Sequence, residues 1–128
     1  MNSSRPLDVF IVDDSAAIRT RLTEMLARTA GVIVVGEASS ATEAISAILR
    51  LQPDSVLLDL NLFGRPGIDV LKTVHEAAPA IAFIVLTNHA EPQYRRACTH
   101  AGARYFLDKS REFARVPEVI AEIASARA

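Results

Sequence analysis

Short apolar segments alternate with longer amphipathic segments along the chain, and this alternation restricts the possible folds more than any other feature. The apolar segments are rich in Val, Ile and Leu, as expected of strands buried on both faces of a sheet. They lie at residues 7–12, 32–38, 55–59, 81–87 and 104–108. The segments between and after them have helical periodicity, and they lie at 15–29, 40–52, 67–78, 92–101 and 116–126.

Residues that start or stop helices stand at the boundaries of these amphipathic segments. Ser15 is a suitable N-cap for the first helix, Pro79 stops the third, and Pro92 lies at the start of the fourth. Five successive strand–helix pairs predict a parallel sheet with helices on both faces. We therefore expect one doubly wound α/β domain over residues 7–126, preceded by a flexible tail over residues 1–6.

The composition indicates an ordinary globular domain and argues against several classes of function. Half of the 128 residues are hydrophobic, so the chain can bury a core without disulfides or structural metals. A net charge of −1 gives no basic surface for nucleic acid or membranes, and no apolar run approaches the roughly 18 residues that cross a bilayer. The single cysteine, Cys98, fits a reducing compartment. We expect a cytoplasmic protein without direct nucleic-acid or membrane partners.

Charged and hydroxyl side chains follow four of the five predicted strands. Asp13 and Asp14 follow the first strand, Asp59 ends the third, Thr87 ends the fourth and Lys109 follows the fifth. Because parallel strands present their carboxyl ends at one edge of the sheet, these residues should converge where such sheets bind ligands. Three carboxylates repel one another, and one lysine is too little to neutralise them.

A hard divalent cation such as Mg²⁺ would relieve this repulsion, because it prefers oxygen ligands and commonly uses one or two carboxylates together with phosphate. Thr87 and Lys109 would then be suited to phosphoryl oxygens, as a hydrogen-bond donor and a countercharge. The pattern therefore predicts Mg²⁺-assisted phosphoryl transfer to a carboxylate, a known covalent strategy.

Four ordered segments, "VDDS", "LLDLNL…GID", "VLTNHA" and "GARYFLDKS", make the chain resemble the response-regulator receiver domains of two-component signalling. The resemblance extends from about Leu7 to Ala124 and implies a flavodoxin-like fold with strand order 2-1-3-4-5. Because "DKSREF" stands where many receivers have Lys-Pro, the chain is most similar to receivers that precede a helix-turn-helix output domain. We expect either a stand-alone receiver or a segment of a longer protein.

The resemblance implies a role for each matching residue. Asp59 would accept a phosphoryl group from a sensor histidine kinase or a phosphotransfer protein. Asp14 would bind Mg²⁺ directly, Asp13 mostly through water, and Asn61 through its backbone carbonyl, with Asp59 as the third carboxylate of the metal site. The resemblance implies a signalling domain rather than an enzyme. At most, the domain would catalyse its own phosphorylation and the later loss of its phosphoryl group.

The resemblance also implies a switch that a partner protein detects. Thr87 and Lys109 would contact the phosphoryl group, and Phe106 would be the switch aromatic, although it lacks a hydroxyl. The fourth helix, fifth strand and fifth helix would form the surface for a downstream protein, in a monomer or a weak phosphorylation-dependent dimer. We expect Tyr105 to be exposed there, on the opposite face of the strand from Phe106, beside a group of arginines: Arg95, Arg96, Arg104, Arg111 and Arg115. A merely solvated basic face is the alternative.

Two further positions leave alternatives open. Phe63 stands four residues after Asp59, where receivers usually have Pro, so we expect an altered loop geometry supported by Gly64 and the residues after it. His89 is either an ordinary exposed loop residue or, together with Asn61, a group that controls the access of water and hence the phosphoryl lifetime.

Other functions are less consistent with the residues. A receiver-like module that binds partners without phosphorylation is the main alternative, and the complete set of site residues argues against it. A haloacid-dehalogenase-type phosphatase would need an aspartate where Asn61 stands. A flavodoxin would need a phosphate-binding loop after the first strand, and "DDSAAIR" has no glycine there.

Overall fold

The computed structural model describes residues 5–127 and contains one five-stranded parallel sheet in the order β2-β1-β3-β4-β5. Each strand agrees with its predicted segment to within one residue at either end, and the predicted fold and strand order are confirmed. The strands are β1 (Leu7–Val12), β2 (Val32–Ala38), β3 (Ser55–Leu58), β4 (Ala82–Thr87) and β5 (Tyr105–Asp108).

Five long helices follow the five strands, and a short sixth helix was not anticipated by the sequence patterns. The long helices are α1 (Ala16–Ala27), α2 (Ala41–Leu51), α3 (Gly67–Ala77), α4 (Pro92–His100) and α6 (Val116–Arg127). Between β5 and α6 lies α5 (Lys109–Glu112), a single turn that is followed by a 3₁₀ turn (Phe113–Arg115). The predicted fifth helix corresponds to α6.

Helices cover both faces of the sheet because alternate strand residues point to opposite sides. On one face, α2, α3 and α4 pack against Phe10, Phe83 and other strand residues. On the other face, α1 and α6 pack against Ile11, Ile84 and their neighbours. The two layers bury nearly every apolar residue of β1, β3 and β4, which holds the carboxyl ends of these strands in fixed positions.

Near the amino ends of the strands, hydrogen bonds join the two ends of the described chain. Arg5 donates to Asp54 Oδ2 over 2.9 Å, and Arg127 donates to the backbone oxygens of Arg5 and Pro6. Of the predicted flexible tail, residues 1–4 lie outside the described residues, whereas Arg5 and Pro6 make these contacts. Within residues 5–127, no helix has the length and apolar character that a membrane crossing requires.

Candidate functional site

Three carboxylates converge at the carboxyl edge of the sheet. Asp13 and Asp14 follow β1, and Asp59 follows β3, which pairs directly with β1. The backbone N–H of Asp59 donates to the Val12 oxygen over 2.9 Å, which keeps the two strand ends in register. One ligand oxygen from each carboxylate lies within 4.8 Å of the others, so these side chains have the spacing of a metal site. The structure thus brings together the three aspartates that the sequence places at this edge.

Lys109 contributes the positive charge of this site. Its Nζ donates to Asp13 Oδ2 over 2.7 Å and to Asp59 Oδ2 over 3.0 Å. Because β4 lies between β3 and β5, the side chain reaches across one strand to make these contacts. Burial lowers the pKa of Lys109, but the hydrogen bond to Asp13 and the charge of Asp59 outweigh burial and raise the pKa overall. Lys109 is therefore a protonated counterion of two carboxylates, a role that the sequence analysis did not assign to it.

The two adjacent aspartates have different surroundings. Asp13 is 2% exposed, and its two oxygens accept hydrogen bonds from Lys109 and from the backbone N–H of Ser15. Asp14 is half-buried, and the Lys109 ammonium contacts Asp13 and Asp59 instead. Burial, followed by the charges of Asp13 and Asp59, raises the pKa of Asp14. Asp14 is thus the carboxylate whose charge would gain most from a bound cation.

Thr87 lies at the end of β4 and is fully buried. Its Oγ1 accepts a hydrogen bond from the backbone N–H of His89 over 3.1 Å, so its own proton stays available for donation. The side chain of His89 is exposed, and its ring centroid lies 5.4 Å from that of Tyr94. The hypothesis that His89 and Asn61 control the phosphoryl lifetime stays a prediction.

The loop between β3 and α3 passes close to Asp59. The backbone N–H of Asn61 donates to Asp59 Oδ1 over 3.3 Å, and the Phe63 side chain is 62% exposed. Gly64 has a φ of +85°, in the region that favours glycine. Gly67 is buried, and a Cβ there would overlap the backbone oxygen of Asp59. This close approach was not predicted, because Gly67 looks like an ordinary turn residue in the sequence.

Phe106 and Tyr105 point to opposite faces of the sheet, as the alternation of strand residues predicts. Phe106 is 8% exposed, and the guanidinium of Arg95 lies 4.6 Å from its ring centroid. Arg95 also donates to the backbone oxygen of Phe106 over 3.2 Å. The predicted exposure of Tyr105 is wrong: the side chain is half-buried against the α1 and α6 layer, and its hydroxyl donates to Glu122 over 2.9 Å.

Comparison with known proteins establishes the family. The sequence matches the model of the response regulator receiver domain over residues 9–121. This chain belongs to that family. The receiver is 31% identical to the response regulator GacA of Pseudomonas syringae pv. syringae, over 89% of this chain and 53% of the relative. It is 34% identical to the nitrate/nitrite response regulator protein NarP of Escherichia coli, over 100% of this chain and 58% of the relative. The receiver therefore spans about half the length of these curated relatives.

Solved structures agree with this assignment. The receiver matches a LuxR-family two-component response regulator from Aurantimonas sp. with a TM-score of 0.88 and 27% identity, covering 94% of this chain and 86% of the other. It matches the response regulator domain of Thermotoga maritima CheB with a TM-score of 0.85 and 28% identity, covering 95% of this chain and 96% of the other. The predicted resemblance to response-regulator receiver domains is confirmed, and one of these neighbours is a LuxR-family regulator.

Proposed function

We propose that this receiver accepts a phosphoryl group on Asp59 in an Mg²⁺-dependent reaction and so switches a protein-binding surface. The convergence of Asp13, Asp14 and Asp59, with the Lys109 ammonium on two of them, is the observation that supports the proposal best. Receivers of response regulators interact with histidine kinases or phosphotransfer proteins. The donor is therefore a phosphohistidine on one of these two classes of protein.

The transfer step uses the Asp59 carboxylate as the nucleophile. One of its oxygens forms a bond to phosphorus while the bond from phosphorus to the donor imidazole nitrogen breaks, and the electron pair of that bond stays on the imidazole. Asp14 would hold Mg²⁺ directly, Asp13 would hold it through water, and Asn61 would offer its backbone oxygen; Mg²⁺ prefers such oxygen ligands. When bound, Mg²⁺ supplies positive charge to the phosphoryl oxygens and the carboxylates.

The same residues connect the site to the switch surface. Thr87 pairs with Asp108 in the sheet, and Val85 pairs with Phe106 two residues earlier. Thr87 donates to one phosphoryl oxygen, and Lys109 contacts the same phosphoryl group. Because Thr87 ends β4 and Lys109 follows β5, these contacts favour one arrangement of the two strand ends. A downstream protein detects the surface of α4, β5 and α6, and the receiver acts as a monomer or a weak phosphorylation-dependent dimer. The proposed location is the cytoplasm.

Incubation with acetyl phosphate and Mg²⁺ should add one phosphoryl group to the wild-type protein, detected by intact mass spectrometry. The adduct should be absent in Asp59→Asn and when Mg²⁺ is removed, because the nucleophile or the compensating charge is then missing. Asp69→Asn is the matched control, since Asp69 lies on α3 and pairs with Arg65 outside the site. A wild-type protein that stays unmodified would instead favour the phosphorylation-independent interaction module.

Asp13 and Asp14 should respond differently to replacement by alanine. We expect Asp14→Ala to raise the melting temperature of the metal-free protein near neutral pH. Asp13→Ala should lower it, because the Lys109 ammonium then keeps only its contact with Asp59 and the Ser15 N–H loses its carboxylate acceptor. The raised pKa of Asp14 means that its ionisation favours the unfolded chain, so this gain should disappear on acidification below its ordinary pKa of 3.8.

The same two variants should reverse their order in the phosphorylation assay. Because Asp14 holds the metal directly, Asp14→Ala should slow the Mg²⁺-dependent reaction about tenfold more than Asp13→Ala. Melting temperatures are measured with chelator present, and rates are measured with Mg²⁺ in excess. Equal effects of the two variants in both measurements would contradict the different roles assigned to these aspartates.

A further inference from the structure

We propose that Glu112 is a positioning residue that holds the Lys109 ammonium over Asp13 and Asp59. The feature that supports this inference is α5, the single turn that stands where many receivers have Lys-Pro. Its effect on phosphoryl transfer rests on the proposed function, whereas its effect on cation binding does not.

Two acidic side chains close this turn on both sides of Lys109. Asp108 Oδ1 accepts hydrogen bonds from the backbone N–H of Ser110 over 3.0 Å and from its hydroxyl over 2.8 Å. Glu112 Oε1 in turn accepts the backbone N–H of Asp108 over 2.9 Å. This reciprocal arrangement resembles a capping box, in which two side chains satisfy the free N–H groups at the start of a helix. The backbone of Lys109 is thereby enclosed between two side-chain caps.

Glu112 is held in place by a second contact. Arg115 Nη1 donates to Glu112 Oε2 over 2.8 Å, so each carboxylate oxygen accepts one hydrogen bond. The hydrogen bond from the Asp108 N–H lowers the pKa of Glu112 by more than burial raises it. The positive charges of Arg115 and Arg95 lower this pKa further. Glu112 is therefore ionised at neutral pH and fixed between β5 and the 3₁₀ turn.

The direction of the Lys109 side chain depends on this turn. Its long flexible stem crosses β4 to reach carboxylates on two other strands, and its side chain is only 10% exposed. Holding a flexible lysine in one arrangement costs conformational entropy, and a fixed backbone start reduces the number of arrangements that compete. Loss of the Glu112 contact should therefore move the ammonium away from Asp13 and Asp59 for part of the time.

This displacement has two opposite consequences. Phosphoryl transfer should slow, because the countercharge for the phosphoryl oxygens is less well placed. Mg²⁺ should bind more tightly, because the ammonium then competes less for Asp13 and Asp59, and this competition is reciprocal. A general loss of structure would weaken both processes, so opposite changes identify positioning.

Three variants test the inference: Glu112→Ala, Glu112→Gln and Glu118→Ala. Glu112→Ala should slow phosphorylation by acetyl phosphate about fivefold and lower the Kd for Mg²⁺ about twofold, the latter measured calorimetrically without phosphodonor. Glu112→Gln should match the wild type in both, since its amide oxygen accepts the same N–H. Glu118→Ala should match the wild type, because Glu118 also approaches Arg115, at 3.8 Å, but is not bonded to Asp108.

Several results would overturn the inference. A Glu112→Ala protein with the wild-type phosphorylation rate, or one that loses both rate and Mg²⁺ affinity, would refute positioning. If the wild type forms no adduct, the proposed function fails, and the Mg²⁺ measurement then decides alone: an unchanged Kd in Glu112→Ala overturns the inference. Should Glu112→Ala not fold, Glu112→Asp takes its place with the same expectations, because its carboxylate is one methylene too short to reach the Asp108 N–H.

Discussion

Replacing Lys109 by Met should slow phosphorylation of Asp59 by about a hundredfold or more, and destabilise the metal-free protein by roughly 2–3 kcal/mol at neutral pH. The rate falls because the ammonium that contacts the reacting carboxylate is removed from a largely buried site. Stability falls because the buried Asp13 and Asp59 carboxyl groups lose the partner that lies 2.7 and 3.0 Å away. Intact mass gives the rate, and urea unfolding with chelator present gives the free energy of unfolding.

The difference in stability between this variant and the wild type should depend on pH and on Mg²⁺, because both act on the same contacts. Because the pKa of Lys109 is raised, its stabilising effect is present below the ordinary lysine value of 10.5 and is lost as the pH rises through the raised value. Mg²⁺ should restore part of the lost stability, since a bound cation replaces the ammonium. Lys72→Met, at an exposed position on α3, is the matched control. Equal free energies of unfolding for the two variants would contradict the counterion role.

Replacing Gly67 by Ala should lower the free energy of unfolding by about 2–3 kcal/mol, although alanine is the better helix former. The added Cβ would overlap the backbone oxygen of Asp59 and approach Leu60 Cα to 2.6 Å. Backbone atoms cannot move aside as a flexible side chain can, so either α3 or the end of β3 must shift. The phosphorylation rate should therefore fall together with the free energy of unfolding measured in urea.

Gly64→Ala distinguishes this overlap from a general effect on the loop. Gly64 lies three residues earlier, and a Cβ there would meet nothing within 4 Å. Its φ of +85° still disfavours alanine, so we expect a loss of about 1 kcal/mol and a nearly normal site. If Gly64→Ala damaged phosphorylation as much as Gly67→Ala, the close approach to Asp59 would not be the cause.

Several features of the fold and the site were accessible to prediction because they depend on local periodicity. Runs such as Ser55–Leu58 are buried on both sides, so their apolar residues are continuous and easy to recognise. The five site residues stand at strand ends, and strand ends meet at one edge in any parallel sheet of this kind. The short helix α5 has only four residues and no apolar stripe, so periodicity could not indicate it; its one local signal was Asp108 as an N-cap.

The prediction for Tyr105 failed for a different reason. Strand alternation correctly placed it opposite Phe106, but it gave no information about which helix covers that face. The side chain packs against the layer that contains α6, and its hydroxyl donates a hydrogen bond to Glu122 on that helix. The Arg95 contact with Phe106 likewise joins α4 to β5 through atoms whose proximity depends on how the helix lies on the sheet.

Sequence alone was therefore sufficient for the α/β class, the parallel sheet and the identity of the residues at its carboxyl edge, because periodicity and strand ends are local properties. The tertiary structure was needed to show which charges pair there. Lys109 lies 96 residues from Asp13 and 50 from Asp59, and their contact depends on the order of the strands and on the turn that holds the lysine. For the same reason, only the folded chain distinguishes the paired Asp13 from Asp14, whose raised pKa reflects burial and two neighbouring negative charges.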